Sequence, residues 1–432
     1  MKLSVNVITM GCSKNLVDSE RLMRQLDAAG IEIMHDAPID KASVAIVNTC
    51  GFIHDAREES VDMILRCVDA KNKGIIKQLF VTGCLSELYK KELEREIPEV
   101  DQYFGARSME EIVRRLSAHS YRHDLRNERI VSTSSHYAYL KIAEGCSRTC
   151  SFCSIPLIRG PHISTPIEDL IEEANFLAAK GVRELLVISQ DISYYGLDLY
   201  RKQMLPELIS RLCQIKGIDW VRLHYAYPNR FPMEITDLML RENKICRYLD
   251  IPVQHISDKV LEKMRRNISG AETIALIEAI RSKVPNIALR TTLITGHPGE
   301  TEKEFAKLLD FVEQTRFDRL GVFTYSHEEH THAAQHYRDR IPEKVKKERA
   351  DHIMEIQRRI SEELNVQKIG KTFKTIIDRL EGNYYAGRTQ YDSPEVDMEV
   401  LIPRNNNNAI EAGKFYDAKI YRATEYDLYG NV

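Results

Sequence analysis

The sequence predicts an α/β protein in three parts: an N-terminal parallel α/β sheet domain, a central open (β/α)6 partial barrel and a small C-terminal OB-like β-barrel. Strand and helix patterns alternate up to about residue 135 and then repeat six times between about 136 and 340, the signature of parallel sheets with crossover helices. Beyond about residue 367 the pattern changes to short β runs separated by Gly, Pro and Asn, which suits a small closed barrel. The expected domains are therefore 1–135, 136–366 and 367–432.

Composition fits that division. A chain of 432 residues suggests about three domains, and 43% hydrophobic with 29% charged residues is ordinary for a soluble globular protein. No run approaches the roughly 18 apolar residues of a membrane span. The short apolar run before Gly11 reads as a first strand rather than a signal peptide, so a cytoplasmic location is expected. Nine cysteines is an odd number and too few for a disulfide scaffold; in a reducing compartment clustered thiols are metal ligands. Net charge is −3, from 61 basic and 64 acidic residues, which argues against an extended nucleic-acid surface.

Taken in order, residues 3–9, 42–48 and 78–82 read as strands, with helices over 16–29, 56–70 and up to 96. Each strand ends beside a cysteine and a glycine: Met10-Gly11-Cys12, Asn48-Thr49-Cys50-Gly51 and Thr82-Gly83-Cys84. In an open parallel sheet those ends share one edge, where ligands bind. Three thiolates from three strands can thus converge, with glycine permitting tight turns. Cys67, Cys213 and Cys246 lack partner spacing and are expected in the core.

The second trio is Cys146, Cys150 and Cys153, spaced C-x3-C-x2-C just after the strand-like run 139–143. A zinc loop is the alternative reading, but zinc sites take four ligands, and no further Cys or His follows until His162. Three cysteines leave one corner of a cubane 4Fe-4S cluster open, and an open position marks a catalytic centre. The other barrel strands are expected at 184–189, 220–224, 248–253, 287–295 and 319–325, with helices such as 167–180, 205–216 and 302–314. Polar residues collect beyond the strands: Gln190, Asp191, His224, Gln254, His255, Arg290 and Gly296-His-Pro-Gly-Glu300. Gln190, Asp191 and Arg290 are expected to contact a cofactor, while His255 fits a core hydrogen bond as readily.

Residues 341–374 read as a long helix; 338–374 hold 11 Lys/Arg against 7 Asp/Glu, a solvated face or an RNA or ribosome contact. Strands are expected at 373–377, 398–402 and 415–421, and the tract 405–408, all Asn, as an exposed loop tip. Residues 371–432 hold 8 basic and 10 acidic residues, a balance that favours a protein partner over phosphates.

These features resemble the methylthiotransferase family of the radical S-adenosylmethionine superfamily along nearly the whole chain. The residues that carry the resemblance are Met10-Gly-Cys-Ser-Lys-Asn-Leu-Val-Asp-Ser-Glu20, Lys141-Ile-Ala-Glu-Gly-Cys146, Phe152-Cys153, Ile188-Ser-Gln-Asp191, Asp250-Ile-Pro-Val-Gln-His255 and Glu425-Tyr-Asp-Leu-Tyr-Gly430. The first stretch resembles the branch that modifies a ribosomal protein; tRNA-modifying members typically carry Gly-Cys-Gln-Met-Asn there. The stretch Tyr325-Ser-His-Glu-Glu-His-Thr-His-Ala lacks a glycine usual in the family.

The resemblance implies a TRAM module at the C-terminus and β-methylthiolation of an aspartate in small-subunit ribosomal protein twelve, free or within the ribosome. It implies two 4Fe-4S clusters, an auxiliary one on Cys12, Cys50 and Cys84 and one on Cys146, Cys150 and Cys153 that cleaves S-adenosylmethionine to a 5′-deoxyadenosyl radical. Phe152, Gln190, Asp191 and Arg290 are the implied cofactor-binding residues, with no catalytic residue beyond the cluster ligands. No base in the titratable range removes an unactivated Cβ hydrogen, hence the radical route. Implied partners are an electron donor such as flavodoxin or ferredoxin and a sulfur donor, with no membrane and no direct nucleic-acid substrate. The rival readings are a tRNA adenosine methylthiotransferase and, from another class, an iron–sulfur electron carrier or ribosome-binding factor.

Overall fold

A computed structural model describes residues 3–117, 121–404 and 409–432; the Asn tract 405–408 lies outside the described residues. The N-terminal sheet contains β1 (Ser4–Thr9), β2 (Glu32–His35), β3 (Val44–Thr49), β4 (Gln78–Gly83) and β5 (Gln102–Tyr103), in the order β2-β1-β3-β4-β5 and parallel throughout. All six residues of β3 are buried, as expected of a central parallel strand covered on both faces. The crossovers include α1 (Ser13–Ala28), α2 (His54–Asn72) and α3 (Cys84–Glu96). Two strands beyond the three expected complete the sheet. Both lie at its edges, β2 without a fully buried residue and β5 only two residues long, so neither leaves a strong apolar pattern.

Six parallel strands form the central sheet: β6 (Tyr137–Lys141), β7 (Glu184–Ile188), β8 (Trp220–Leu223), β9 (Ile245–Asp250), β10 (Ala288–Thr295) and β11 (Arg319–Thr324). They pair in chain order and leave β6 and β11 as free edges, an open partial barrel as the sequence predicts. Alternation sorts the side chains: Ala138, Leu140, Leu185 and Val187 pack outward into the large helix-covered core, and Tyr137, Tyr139, Leu186 and Ile188 face inward, where they meet Val17 of α1. One helix of the N-terminal domain therefore packs into the mouth of the barrel. No described helix is long and apolar enough to cross a membrane.

The last strands, β12 (Thr372–Glu381), β13 (Tyr384–Thr389), β14 (Val400–Pro403), β15 (Phe415–Ala423) and β16 (Leu428–Asn431), close into a barrel in the order β12-β13-β14-β16-β15. The segment between β13 and β14 packs against the inner face of the central sheet. Tyr137 and Tyr139 donate hydroxyl hydrogen bonds to Glu395 at 2.9 and 3.1 Å. Arg290 pairs with Asp397 at 2.6 Å, Arg319 pairs with Asp392, and Ser393 meets His224 at 3.1 Å. Deepest is Glu184, wholly buried between Arg222 at 2.7 Å and Arg388 at 2.8 Å. Burial acts to raise its pKa, and the two guanidiniums more than offset it. His136 adds a contact to Asp378 at 2.7 Å.

These ion pairs correct the reading of the module's charge. Asp378, Asp392, Glu395 and Asp397 are turned onto the central domain, so net charge says little about the outer surface. The basic helix is similar. It spans Glu343–Val366 and stops short of the expected 374, because Gly370 turns through a positive φ of 83° and β12 begins two residues later. Within it Lys346 is fully buried against Asp339 and Glu343, and Arg349 holds Glu300 at 2.7 Å.

Breaking a buried ion network strands the surviving charges, at about 3–5 kcal/mol. Glu184→Gln should therefore lower the denaturation midpoint of the full chain and hasten proteolytic release of the C-terminal barrel; an unchanged midpoint would show that the interlock carries no stability.

Candidate functional site

Cys12, Cys50 and Cys84 stand at the ends of β1, β3 and β4, with Cys12 preceding α1 and Cys84 opening α3. Glycine makes the convergence feasible. Gly11 has φ +87°, and a Cβ there would lie 2.6 Å from Cys50 Cβ; Gly83 has φ +99°, and a Cβ there would lie 2.4 Å from the Thr49 carbonyl oxygen. Side chains lock the strand ends together. Asn15 Nδ2 donates to the Met10 and Thr49 carbonyls at 3.0 Å each, and Thr49 Oγ1 donates to the Thr82 carbonyl at 2.6 Å. The three thiols are close enough to influence one another electrostatically, and burial pushes Cys84 up to about 11 and raises Cys50.

The second trio sits on the loop after β6. That loop is pinched at its neck by the two-residue pair Ala143–Glu144 and Ile163–Ser164 and by the Cys146 amide donating to the Gly160 carbonyl at 3.0 Å. Arg266 Nη1 donates to Cys150 Sγ at 3.4 Å, the Arg148 amide donates to Cys146 Sγ at 3.4 Å, and the Tyr227 hydroxyl lies 3.7 Å from Cys150 Sγ. Arg148 and Arg266 each lie 4.1 Å from the centroid of the Tyr227 ring. Burial pushes Cys146 up to about 11 and Cys153 further. Such thiols ionise only with a compensating cation, which a metal supplies.

Three thiols at each site could hold three irons of a 4Fe-4S cluster and leave the fourth open. A zinc with bonds of about 2.3 Å would hold its sulfurs roughly 3.8 Å apart. Among the described residues, only the exposed His54, Asp55 and Glu58 bring three candidate ligand atoms within 4.8 Å of one another; neither cysteine trio is drawn in that tightly. His162, the first His or Cys after the second trio, meets Ser164 Oγ at 3.2 Å and lies tilted against the Tyr194 ring at 4.9 Å.

Between the trios runs a buried ionic network. Arg159, on the short helix Ile155–Arg159, donates to Cys84 Sγ at 3.4 Å, to Asn15 Oδ1 and to Asp18 at 2.6 Å. Lys141 pairs with Asp18 and, at 2.8 Å, with Glu144. Burial acts to raise Glu144, but Lys141 and Arg159 outweigh it and hold the carboxyl at about 2. A residue of the second trio's loop thus touches a cysteine of the first. On the far side, Arg57 of α2 pairs with Glu328 in the loop after β11 and donates to Tyr89 at 3.1 Å. The His-rich stretch that lacks the usual glycine is therefore pinned to the N-terminal domain.

The expected cofactor residues divide. Gln190 donates to Glu144 at 3.2 Å and leaves its Oε1 buried without a partner. Phe152 lies edge-on to His297 at 6.3 Å. Asp191 and Arg290 both have protein partners. Asp191 binds Arg148 at 2.7 Å and accepts from the Ser193 amide and hydroxyl; Arg290 is held by Asp397 and the Val396 carbonyl. His255 accepts from the Ser257 amide at 3.0 Å and faces Glu300 at 3.3 Å, a core role. Cys67, Cys213 and Cys246 are buried in apolar clusters.

Sequence reasoning missed several groups. Asp250 ends β9 with Oδ1 buried and unpartnered, and burial lifts it to about 6; it was hidden because the strand was expected three residues too late. Gln254, already among the polar residues expected beyond the strands, buries an unpartnered Oε1 on a backbone turned to φ +71°. Lys14, Lys141, Glu144, Arg159 and Arg266 lie in or near recognised motifs, but only the fold pairs them.

Comparison with known proteins matches residues 4–105 to a family described as uncharacterized protein family UPF0004, residues 140–312 to the radical SAM superfamily and residues 369–432 to the TRAM domain. The chain is 52% identical to ribosomal protein uS12 methylthiotransferase RimO of Cytophaga hutchinsonii, over 100% of this chain and 98% of that protein. It is 54% identical to the RimO of Flavobacterium johnsoniae, over 99% and 98%. Among solved structures, the radical S-adenosylmethionine methyltransferase TsrM from Kitasatospora setae, with cobalamin and a [4Fe-4S] cluster bound, aligns with a TM-score of 0.55 at 14% identity, over 77% of this chain and 74% of that one. This likeness is one of fold.

A methyl group at Gly83 has no room beside Thr49 and sits on a left-handed backbone, a combination costing about 1–3 kcal/mol. Gly83→Ala should keep the central domain intact yet lose roughly half of the iron taken up on anaerobic reconstitution; full iron content would mean that the strand ends need not close.

Proposed function

Because the chain belongs to the RimO family of ribosomal protein uS12 methylthiotransferases, we propose that it attaches a methylthio group to the β carbon of an aspartate in uS12, using two 4Fe-4S clusters and S-adenosylmethionine. The enzyme is a radical S-adenosylmethionine methylthiotransferase acting on uS12. In this reading residues 1–135 carry the auxiliary centre on Cys12, Cys50 and Cys84, residues 136–366 carry the radical centre on Cys146, Cys150 and Cys153, and residues 367–432 form the TRAM module. The observation that carries the two-centre reading is Arg159, which binds Cys84 Sγ from the loop of the other trio.

When bound, these groups supply a carbon-centred radical able to take an unactivated hydrogen, and the sulfur that replaces it. The chain supplies charge, position and exclusion of water. Arg266 and Arg148 place positive charge beside the thiolates of Cys150 and Cys146, which favours an anionic centre. Gln190 Oε1, Asp250 Oδ1 and Gln254 Oε1 are buried acceptors with no protein donor. Together they suit a ligand rich in donors, such as the ammonium and ribose hydroxyls of S-adenosylmethionine. Asp191 positions the second trio's loop through Arg148, and Arg290 ties the barrel to the C-terminal module. An electron donor such as flavodoxin or ferredoxin and a separate sulfur donor complete the cytoplasmic reaction.

Two substitutions separate the roles of the trios. Cys150→Ala should abolish reductive cleavage of S-adenosylmethionine while about half of the iron remains; unchanged 5′-deoxyadenosine formation would refute that trio's role. Cys50→Ala should retain cleavage and stop methylthio transfer to uS12, read by mass spectrometry; full product would remove the auxiliary centre.

A further inference from the structure

Most polar side chains of the stretch from Met10 to Glu20 are accounted for by protein partners. Asn15 ties strand ends together, Asp18 binds Lys141 and Arg159, Ser19 meets Thr9 and Asn48, and Glu20 binds Arg129 and Ser132. Lys14 is the charged residue left over. Only 9% exposed, it has no hydrogen bond and no carboxylate within 4.0 Å among the described residues. Its ammonium sits 3.1 Å from the centroid of the Tyr225 ring.

That arrangement is incomplete by itself. Removing an ammonium from water is costly, and an aromatic face returns only part of that cost. A lysine at a surface would turn its head to solvent; this one is folded inward, two residues after Cys12, over a residue that follows β8. Tyr225 itself adopts φ +61°, and its amide points to Asp250 at 3.4 Å. The ammonium therefore stands at the seam between the first trio and the strand ends of the barrel, within electrostatic reach of the Asp250 carboxylate. Of the orphan acceptors Gln190 Oε1, Asp250 Oδ1 and Gln254 Oε1 only Asp250 can carry charge, and among the described residues it closes no ion pair with Lys14 within 4.0 Å.

We propose that Lys14 binds the side-chain carboxylate of the aspartate that is modified, an assignment that rests on the aspartate reading above. The carboxylate carbon is bonded directly to Cβ, so holding the carboxylate fixes the carbon that loses hydrogen to within one bond. Lys14 then selects a carboxylate over an amide or a nucleobase as well as placing it. It is a substrate-binding residue and takes no proton.

The test uses the reconstituted enzyme with uS12 and with uS12 whose target aspartate is replaced by asparagine. Lys14→Met keeps the length of the stem and removes the charge. It should retain full iron content and the same rate of S-adenosylmethionine cleavage as the wild-type chain when uS12 is left out. It should modify the aspartate substrate about 10- to 100-fold more slowly, the range of a lost hydrogen bond to a charged group, and its preference for aspartate over asparagine should collapse. Lys14→Arg should restore much of that preference. An equal loss on both substrates, with the preference intact, would make Lys14 a strut between domains and overturn the assignment; so would loss of cofactor cleavage in the absence of uS12. A wild-type enzyme that modifies uS12 at another residue, or not at all, would overturn the parent reading, and this assignment with it.

Discussion

Arg159 is 2% exposed, and its guanidinium is shared among Cys84, Asn15, Asp18 and Glu144. A cation so placed is tolerable only while every partner stays in position. It couples the N-terminal sheet, α1, the neck of the second trio's loop and the trio of the neighbouring domain in one electrostatic unit. The proposed reaction between two centres would need their separation held constant through many turnovers. A buried ion network provides that stiffness better than apolar packing alone, because sliding by one ångström leaves charges unpaired.

The C-terminal barrel extends the same logic to the opposite face of the central sheet. An open six-stranded barrel has a wide inner surface and two unpaired edges, features that ordinarily invite solvent or misassociation. Here the inner face is closed from one side by α1 and from the other by the segment carrying Asp392, Glu395 and Asp397. The module and the N-terminal domain thus clamp the barrel between them. What remains is a seam at the strand ends, lined by cysteines, orphan acceptors and the ammonium of Lys14.

Much of this was legible in the sequence. The central strands were legible because burial on both faces makes most of their residues apolar, as in β3 and β7. The cysteine trios were visible because thiolates with adjacent glycines at strand ends obey a geometric rule. The illegible parts share a cause: their meaning is a partner distant in sequence. Asp191 and Arg290 look like free polar ends of strands until Arg148 and Asp397 arrive, 43 and 107 residues away. The surplus charges of the helix Glu343–Val366 and of the final barrel looked external, whereas Lys346 and Arg349 face inward within the central domain and Arg388 reaches across to Glu184. Edge strands β2 and β5 were missed because half-exposed or very short segments carry little pattern.

The central claim is that two cysteine trios, one on each side of a seam spanned by Arg159, each hold an iron–sulfur cluster. Mössbauer and electron paramagnetic resonance spectroscopy of the anaerobically reconstituted wild-type chain test it most directly. The expected result is about eight irons per chain in two 4Fe-4S clusters, close enough that their reduced forms broaden one another's resonance signals. A single cluster, or zinc in either trio, would contradict the account.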